Sequence, residues 1–492
     1  MSHRRNFGAP LSQTRDGTDI PLVVDLDGTL TPSDLLIESV FHLVAAHPLS
    51  LLRLPLWLLM GKAAFKARIA DQAALDLKLL PLNEDLLALV RAEKARGRRI
   101  YLASASDRRY VEALADHLGL FDGVFASNGA TNLSGREKAR VLTEAFGLGG
   151  FDYAANSEVD LAVWERARKA ILVDVPAKVG LEARRRCADV HEIGASRPWR
   201  EKLGGYRQAL RLHQWLKNIL VFLPALADHS LDPATLGRSA LACLAFCLCA
   251  SSVYLLNDLI DLPNDRLHPT KCNRPFACGA LPLAHGLGLI PLLLAATALV
   301  ALALPGAFAG VLGLYYVVTV LYSLTLKRRI VVDVLTLAGL YTLRVLGGAA
   351  ATGIAVSQWL LAFSMFLFLC LALIKRYSEL VERMRSNKPK AAGRGYLTDD
   401  SPMVGALAGA SGFASILVLA LYINSPDVGR LYTHPEALWG ICLLLLYWVS
   451  RVLMLAHRGE LHEDPVVFAA TDRTSLLTVA LMGVVAIAGS LP

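Results

Sequence analysis

From about residue 213 onward, nine apolar runs follow one another, at roughly 213–228, 236–257, 284–303, 306–325, 332–352, 358–375, 404–423, 436–455 and 474–491. Most are long enough for a helix to cross the hydrocarbon layer of a bilayer. Such segments must satisfy their backbone polar groups internally, so they predict an all-α polytopic membrane domain over 211–492 with about nine transmembrane helices. The first 200 residues differ, being mixed and charged. They read as a polar tail over 1–19, an α/β, Rossmann-like domain over 20–195 and a polar, basic linker over 196–210.

The basic residues favour one side. Arg266, Lys271, Arg274, Lys327, Arg328, Arg329, Lys375, Arg376, Arg383, Arg385 and Arg458 follow the second, fourth, sixth and eighth runs, whereas the opposite loops hold few, such as Arg238 and Arg430. That asymmetry predicts that the basic loops face the cytoplasm. The tail 1–19 has no apolar core and does not read as a signal peptide. The first domain is therefore expected on the same face of the cytoplasmic (inner) membrane. A net charge of +8 suits that topology and anionic substrates, and no interleaved aromatic and basic stripe points to nucleic acid. The eight cysteines form no CxxC pair with a matching His or second CxxC, so neither disulfides nor zinc are expected.

Chemistry concentrates just after the second run, between Asn257 and Arg274. Asp258 and Asp261 are three apart, and Asp261 and Asp265 four apart, so a helix continuing past the run places all three carboxylates on one face. Carboxylates so close need a cation. Mg²⁺ suits them, because it takes one or two carboxylates together with phosphate oxygens. Lys271 and Arg274 are then available for phosphates that the metal does not reach. Arg344 lies within the fifth run, where a charge needs an anionic partner from protein or substrate, and Gly347 and Gly348 beside it allow close helix packing.

The acidic stretch resembles the first aspartate motif, NDxxDxxxD, of the UbiA superfamily of membrane prenyltransferases. The continuation from Arg266 to Pro275 resembles D-R-x-H-P-x-K-x-x-R-P of the decaprenyl-phosphate phosphoribosyltransferase branch. Three further stretches are similar to that branch: Arg211 to Asn218, which reads R-x-x-Q-W-x-K-N; Tyr322 to Lys327, which reads Y-S-x-x-L-K; and Lys375-Arg376-Tyr377-Ser378-Glu379-Leu380. The resemblance implies catalytic and metal roles for Asp258 and Asp261, with Asp265 as a further metal ligand. It implies substrate binding by Lys217, Asn257, Lys271, Arg274, Tyr322, Lys327, Lys375 and Arg376, and the cost of a mid-span charge adds Arg344 as a candidate for a substrate phosphate. Anchoring at the interface alone explains Trp215 and explains Lys217 less well, and a plain topology signal remains the alternative for Lys327. Aromatic prenyltransferases carry a second acidic motif, DxxxD, where this chain has K-R-Y-x-E-L. Glu463, Asp464 and Asp472 near the last run stand as metal ligands, ribose hydroxyl acceptors or helix caps.

In the first domain, Pro21 to Leu30 reads as a buried strand ending in Asp25-Leu26-Asp27-Gly28-Thr29. Chemistry at the carboxyl end of a parallel strand is expected, with two carboxylates pointing one way. The stretch resembles motif I of the haloacid dehalogenase (HAD) phosphatases. By that resemblance Asp25 is the nucleophile and Asp27 the general acid/base, both binding Mg²⁺. Ser104, or alternatively Ser106, matches the phosphate-binding serine, and Lys138 matches the lysine that neutralises phosphate and nucleophile. Where the family has G-D-S-x-x-D, this chain has Ala155-Asn156-Ser157-Glu158-Val159-Asp160. Asn156 removes one negative charge, and the resemblance then gives Asp160 more of the metal. The insert 33–85 has a helical pattern and reads as a cap. Its stretch from His47 to Met60 is unusually apolar, which leaves two readings: a cap lying on the membrane and admitting a lipid phosphate, or a cap helix buried against the core.

Both reactions open to the membrane domain displace diphosphate. The cations Lys217, Lys271, Arg274, Lys327, Lys375 and Arg376 exceed what one diphosphate needs. They favour transfer of 5-phosphoribose from phosphoribosyl diphosphate to a polyprenyl phosphate, followed by removal of the 5-phosphate in the HAD-like domain. The alternatives are prenyl transfer from a prenyl diphosphate to an aromatic acceptor, and a regulatory or inactive first domain.

Overall fold

Alternate residues of the first strand face opposite ways, and this sets the layers of the N-terminal domain. In a computed structural model, which describes residues 19–194, 199–385, 395–461 and 464–491, β1 is Leu22–Asp25. Leu22 and Val24 enter a core with Ile100, Leu102, Ile171 and Val173, while Val23 enters another with Ala103, Tyr153 and Leu172. A strand buried on both faces reads as a continuous apolar run, as this one does. The other strands are β2 Ile100–Asp107, β3 Gly123–Ser127, β4 Asp152–Ala155, β5 Lys169–Val173 and β6 Val190–Ile193. All pairings are parallel and the order is β3-β2-β1-β4-β5-β6, with Asp25 opposite Ala103. The winding direction changes between β1 and β4, so the carboxyl end of β1, with β4 on one side and β2 on the other, lies where such sheets place their chemistry. The expected helical cap is present, with helices Leu35–Ala46, Leu54–Leu59 and Lys62–Ala70 between β1 and β2.

The chain folds as two compact units. One takes in residues up to Tyr206 together with Asp258–Gly286, and the other Arg207–Asn257 with Leu287–Pro492. From Asp258 onward the acidic stretch thus groups with the first unit, while Asn257 stays with the second. The expected linker is helical over Trp199–Ala209, and residues 196–198 lie outside the described residues, as does most of the tail 1–19.

Among the described residues, eight helices are long and apolar enough to cross a membrane, from Pro233–Ile260 to Arg473–Ser490. The expected ninth is absent. The run 213–228 forms a 3-10 helix, Leu212–Phe222, and a five-residue α-helix, Leu223–Ala227. Its polar residues explain this. Lys217 and Asn218 are both buried and turn to partners inside the unit, so the segment lines the interior. The glycines of the fifth run pack as expected. A Cβ on Gly348 would lie 1.9 Å from the Val221 carbonyl oxygen, and one on Gly347 would lie 2.4 Å from the Phe246 ring.

Candidate functional sites

The DxDGT turn places its two carboxylates differently. Asp25 Oδ1 lies 2.5 Å from Lys138 Nζ, and Oδ2 accepts from Thr29 Oγ1 at 2.9 Å. Asp27 Oδ2 accepts from Ser104 Oγ at 2.7 Å and Ser106 Oγ at 2.8 Å, and Oδ1 accepts from the Leu35 amide at 2.9 Å. Both candidate serines therefore belong to the cluster. Burial pushes the Asp25 carboxyl up to about 7, against the opposing pull of the Lys138 ammonium. Lys138 Nζ also donates to Tyr153 Oη at 3.0 Å and lies 3.8 Å from Asp160 Oδ1.

Asp160 is turned towards its own segment. Its Oδ2 accepts from the Ser157 hydroxyl and amide, and its Oδ1 accepts from Tyr153 Oη at 2.9 Å. These contacts suit it to holding Lys138 in place. Asn156 Nδ2 donates to the Gly28 carbonyl at 2.6 Å. Gly28 has φ +80°, and a Cβ there would meet Asn156 at 2.7 Å, so this close approach requires glycine. One cap residue escaped the motif reading. Lys66 Nζ donates to the Ala105 carbonyl at 2.6 Å and Asn132 Oδ1 at 2.8 Å, between the two serines. It is one of only four basic residues between Glu38 and Asp71, the only signal that marked it.

The acidic stretch is bent. The helix Pro233–Ile260 ends before Asp261, and a short helix, Leu262–Arg266, follows. Pro263 lacks an amide hydrogen and its ring crowds the preceding turn, so the helix does not continue and the three carboxylates do not share one helical face. Arg274 instead gathers two of them, with Nη1 3.0 Å from Asp258 Oδ1 and 2.6 Å from Asp265 Oδ2. The next residue, Arg266, leaves the motif altogether. Its Nη1 and Nη2 donate to Glu38 Oε2 and Oε1 of the cap helix at 3.0 and 2.5 Å, and Ser33 Oγ donates to the same Oε1. Gly279 abuts this region, since a Cβ there would lie 2.3 Å from Pro32. Glu38 is the sole acid between Asp34 and Asp71, a signal available in the sequence.

The second unit collects cations. Lys217 Nζ and Lys375 Nζ both donate to Asp464 Oδ2, at 2.6 and 2.8 Å, and Tyr341 Oη donates to Oδ1 at 3.3 Å. Asp464 also caps the helix Pro465–Thr471 through the Val466 amide, and Asp472 caps Arg473–Ser490, so both are helix caps. Glu463 lies outside the described residues. Arg344 is buried and donates to Asn218 Oδ1 at 2.7 Å, Tyr315 Oη at 2.9 Å and the Leu340 carbonyl at 2.7 Å, with its guanidinium over the rings of Tyr315 and Tyr341. Lys327 Nζ donates to Asn257 Oδ1 at 3.2 Å, and Tyr322 is half-buried in the last turn of Gly306–Leu324. Arg376 is fully buried. Its Nη2 lies 2.8 Å from Asp333 Oδ2, its Nη1 donates to Glu379, and Tyr396 Oη donates to Asp333 Oδ1 at 2.7 Å. Its charge is thus met by protein carboxylates. An apolar cavity of about 960 Å³ opens within the same unit, lined by Phe363, Phe368, Leu371, Tyr422 and Trp448 among others.

Both acidic sites offer donors that suit Mg²⁺ in kind, being hard oxygens. In the first domain these are Asp25, Asp27, Asp160 and the Asn156 carboxamide. In the acidic stretch they are Asp258, Asp261 and Asp265. Among the described residues, no three His, Cys, Asp or Glu side chains are already grouped as a metal site.

The UbiA prenyltransferase family matches residues 219–394, and haloacid dehalogenase-like hydrolase matches 22–165. Uncharacterized protein y4nM of Sinorhizobium fredii is 37% identical over 98% of this chain and 93% of its own length. Nodulation protein NoeC of Azorhizobium caulinodans is 34% identical over 56% of this chain and 89% of its own. Decaprenyl-phosphate phosphoribosyltransferase of Corynebacterium glutamicum is 38% identical over 37% of this chain and 56% of its own.

Proposed function

Because this chain belongs to the UbiA prenyltransferase family and carries a haloacid dehalogenase-like domain at its N-terminal end, we propose that its two parts act in turn on one lipid. The membrane domain moves 5-phosphoribose from phosphoribosyl diphosphate to a polyprenyl phosphate. The observation that carries this reading is the cation cluster. Lys217 and Lys375 both pair with the carboxylate of Asp464, and the buried Arg344 donates to Asn218 and Tyr315. Such a cluster suits a reaction that brings together a diphosphate, a sugar phosphate and a lipid phosphate. The name of the Corynebacterium glutamicum relative supports the same chemistry.

In the transfer, an acceptor phosphate oxygen bonds to the anomeric carbon as that carbon's bond to diphosphate breaks. Positive charge grows on the ribose and negative charge on the leaving group. Lys217, Lys271, Lys327, Lys375 and Arg344 stabilise the latter by fixed charge. Mg²⁺, when held by Asp258, Asp261 and Asp265, supplies further neutralisation of the diphosphate. Asn257 and Tyr322 orient the substrate, Arg274 spaces the carboxylates, and Arg376 holds its helix in place. The 960 Å³ cavity takes part of the polyprenyl chain.

The first domain then removes the 5-phosphate. Asp25 attacks phosphorus, the bond from phosphorus to the ribose oxygen breaks, and Asp27 gives that oxygen a proton. Water, losing its proton to Asp27, hydrolyses the aspartyl phosphate and frees inorganic phosphate. Ser104 and Lys138 bind the transferred group. Mg²⁺, when held by Asp25, Asp27, Asn156 and Asp160, would supply charge neutralisation there. Both sites work on the cytoplasmic side of the inner membrane.

Membranes containing the full chain, Mg²⁺, a polyprenyl phosphate and radiolabelled phosphoribosyl diphosphate test this directly. Label should enter the lipid phase, vanish with Asp258→Ala, and keep its 5-phosphate with Asp25→Asn. Turnover only of a prenyl diphosphate with an aromatic acceptor would replace the first step with prenyl transfer. Phosphate release unaffected by Asp25→Asn would remove the second.

A further inference from the structure

The cap of the first domain presents an apolar surface outward. Between Leu49 and Met60, Leu49, Leu51, Leu52, Leu56, Leu58, Leu59 and Met60 are all at least half exposed, with Leu52 at 80% and Leu59 at 86%. Only Ser50 and Trp57 are buried in this stretch. Trp57 fixes its orientation, because it packs with Leu43, Ile69 and Ala73 inside the cap. The leucines therefore cannot turn inward without expelling the tryptophan. A six-residue helix such as Leu54–Leu59 has little stability of its own, and a face this apolar is costly in water.

We infer that this face of the cap, residues 49–60, seats on a lipid bilayer and presents a lipid-borne phosphate to the Asp25 site. Charge identifies the occupant. Residues 39–70 contain Arg53, Lys62, Lys66 and Arg68 and no Asp or Glu, and Arg53, Lys62 and Arg68 are exposed. An apolar face rimmed by cations fits the acyl and headgroup region of anionic lipids. Self-association through the same face would set like charges against one another. Among the described residues, eight helices are suited to crossing a membrane, so a bilayer is always this chain's neighbour.

The cap joins the two tasks. After Gly61, with φ +98°, the helix Lys62–Ala70 brings Lys66 to the Ala105 carbonyl between Ser104 and Ser106. One small insert thus offers leucines to acyl chains and an ammonium to the phosphate pocket. A substrate with its phosphate at Asp25 and its tail still in the bilayer matches both ends. This substrate class rests on the phosphatase reading given above; the bilayer contact does not.

The full chain in nanodiscs with a diazirine-bearing phosphatidylglycerol tests the contact. After irradiation, lipid adducts should map to residues 49–60 as well as to the spanning helices. Leu52→Glu with Leu59→Glu should cut the cap adducts by about tenfold while leaving those of the spans unchanged. Adducts confined to the spans, or crosslinks joining residues 49–60 of two copies, would overturn the inference. The same variant should hydrolyse a water-soluble phosphate ester as the unaltered chain does, but a lipid-borne phosphate about tenfold more slowly. Equal loss on both substrates, or on neither, would overturn the substrate assignment. If the unaltered chain hydrolyses neither, the phosphatase reading fails and the adduct map still decides the bilayer contact.

Discussion

Glu38 and Arg266 are separated by 228 positions, and their side chains are 5% and 7% exposed. A buried pair of this kind gives modest net stability when whole, because desolvation offsets attraction. Breaking it is another matter, since Arg266 then stays buried with no counter-charge, held only by the Ala277 carbonyl. Glu38→Ala should destabilise the first unit by about 3–5 kcal/mol, seen as a lower melting temperature of the purified chain. Glu38→Leu with Arg266→Met should recover most of that loss, and failure to recover would show that the ion pair itself is needed. The residue types were legible at this scale and the partners were not. Lys217 was marked by its motif, but its counter-ion Asp464 lies 247 positions away. Asp258 and Asp265 were marked by spacing, yet the same spacing also suggested a continuous helix, which Pro263 interrupts.

Helical segments in the second unit are placed by how closely their backbones approach. The 3-10 helix that carries Lys217 rests on Gly348, where a Cβ would stand 1.9 Å from the Val221 carbonyl oxygen. Gly348→Ala must push that helix away or strain the backbone, at a cost of about 1–3 kcal/mol. It should lower transfer at least tenfold while Glu38-dependent stability of the first unit is unchanged. Transfer at the original rate would mean that Lys217 tolerates displacement. The glycine pair was legible as a packing site because small residues inside an apolar run have few other uses. The short helical segment was misread as a span because its apolar content is ample, while the buried roles of Lys217 and Asn218 depend on residues far along the chain.

Seen whole, the eight apolar helices among the described residues make this an integral membrane protein, and the distribution of Lys and Arg predicts that its basic loops face the cytoplasm. Cys278, the exposed cysteine just after the acidic stretch, should react with a membrane-impermeant maleimide in inverted vesicles and not in right-side-out ones. Cys278→Ser should remove most of the signal. Labelling from the outer face would reverse the orientation of both proposed sites.

Local pattern is enough to mark a mixed α/β region followed by a run of membrane helices, the DxDGT turn, the acidic stretch and the surplus of cations. Each is a local pattern, set by strand alternation, by the length of apolar runs or by spacing within a few turns. Tertiary structure decided the rest. It joined Asp258–Gly286 to the first unit through Arg266 and Glu38, gave Asp464 to two lysines, met Arg376 with Asp333, and turned the cap leucines outward around Trp57. These outcomes depend on which distant side chains meet in a low-dielectric interior, and local pattern carries little of that information.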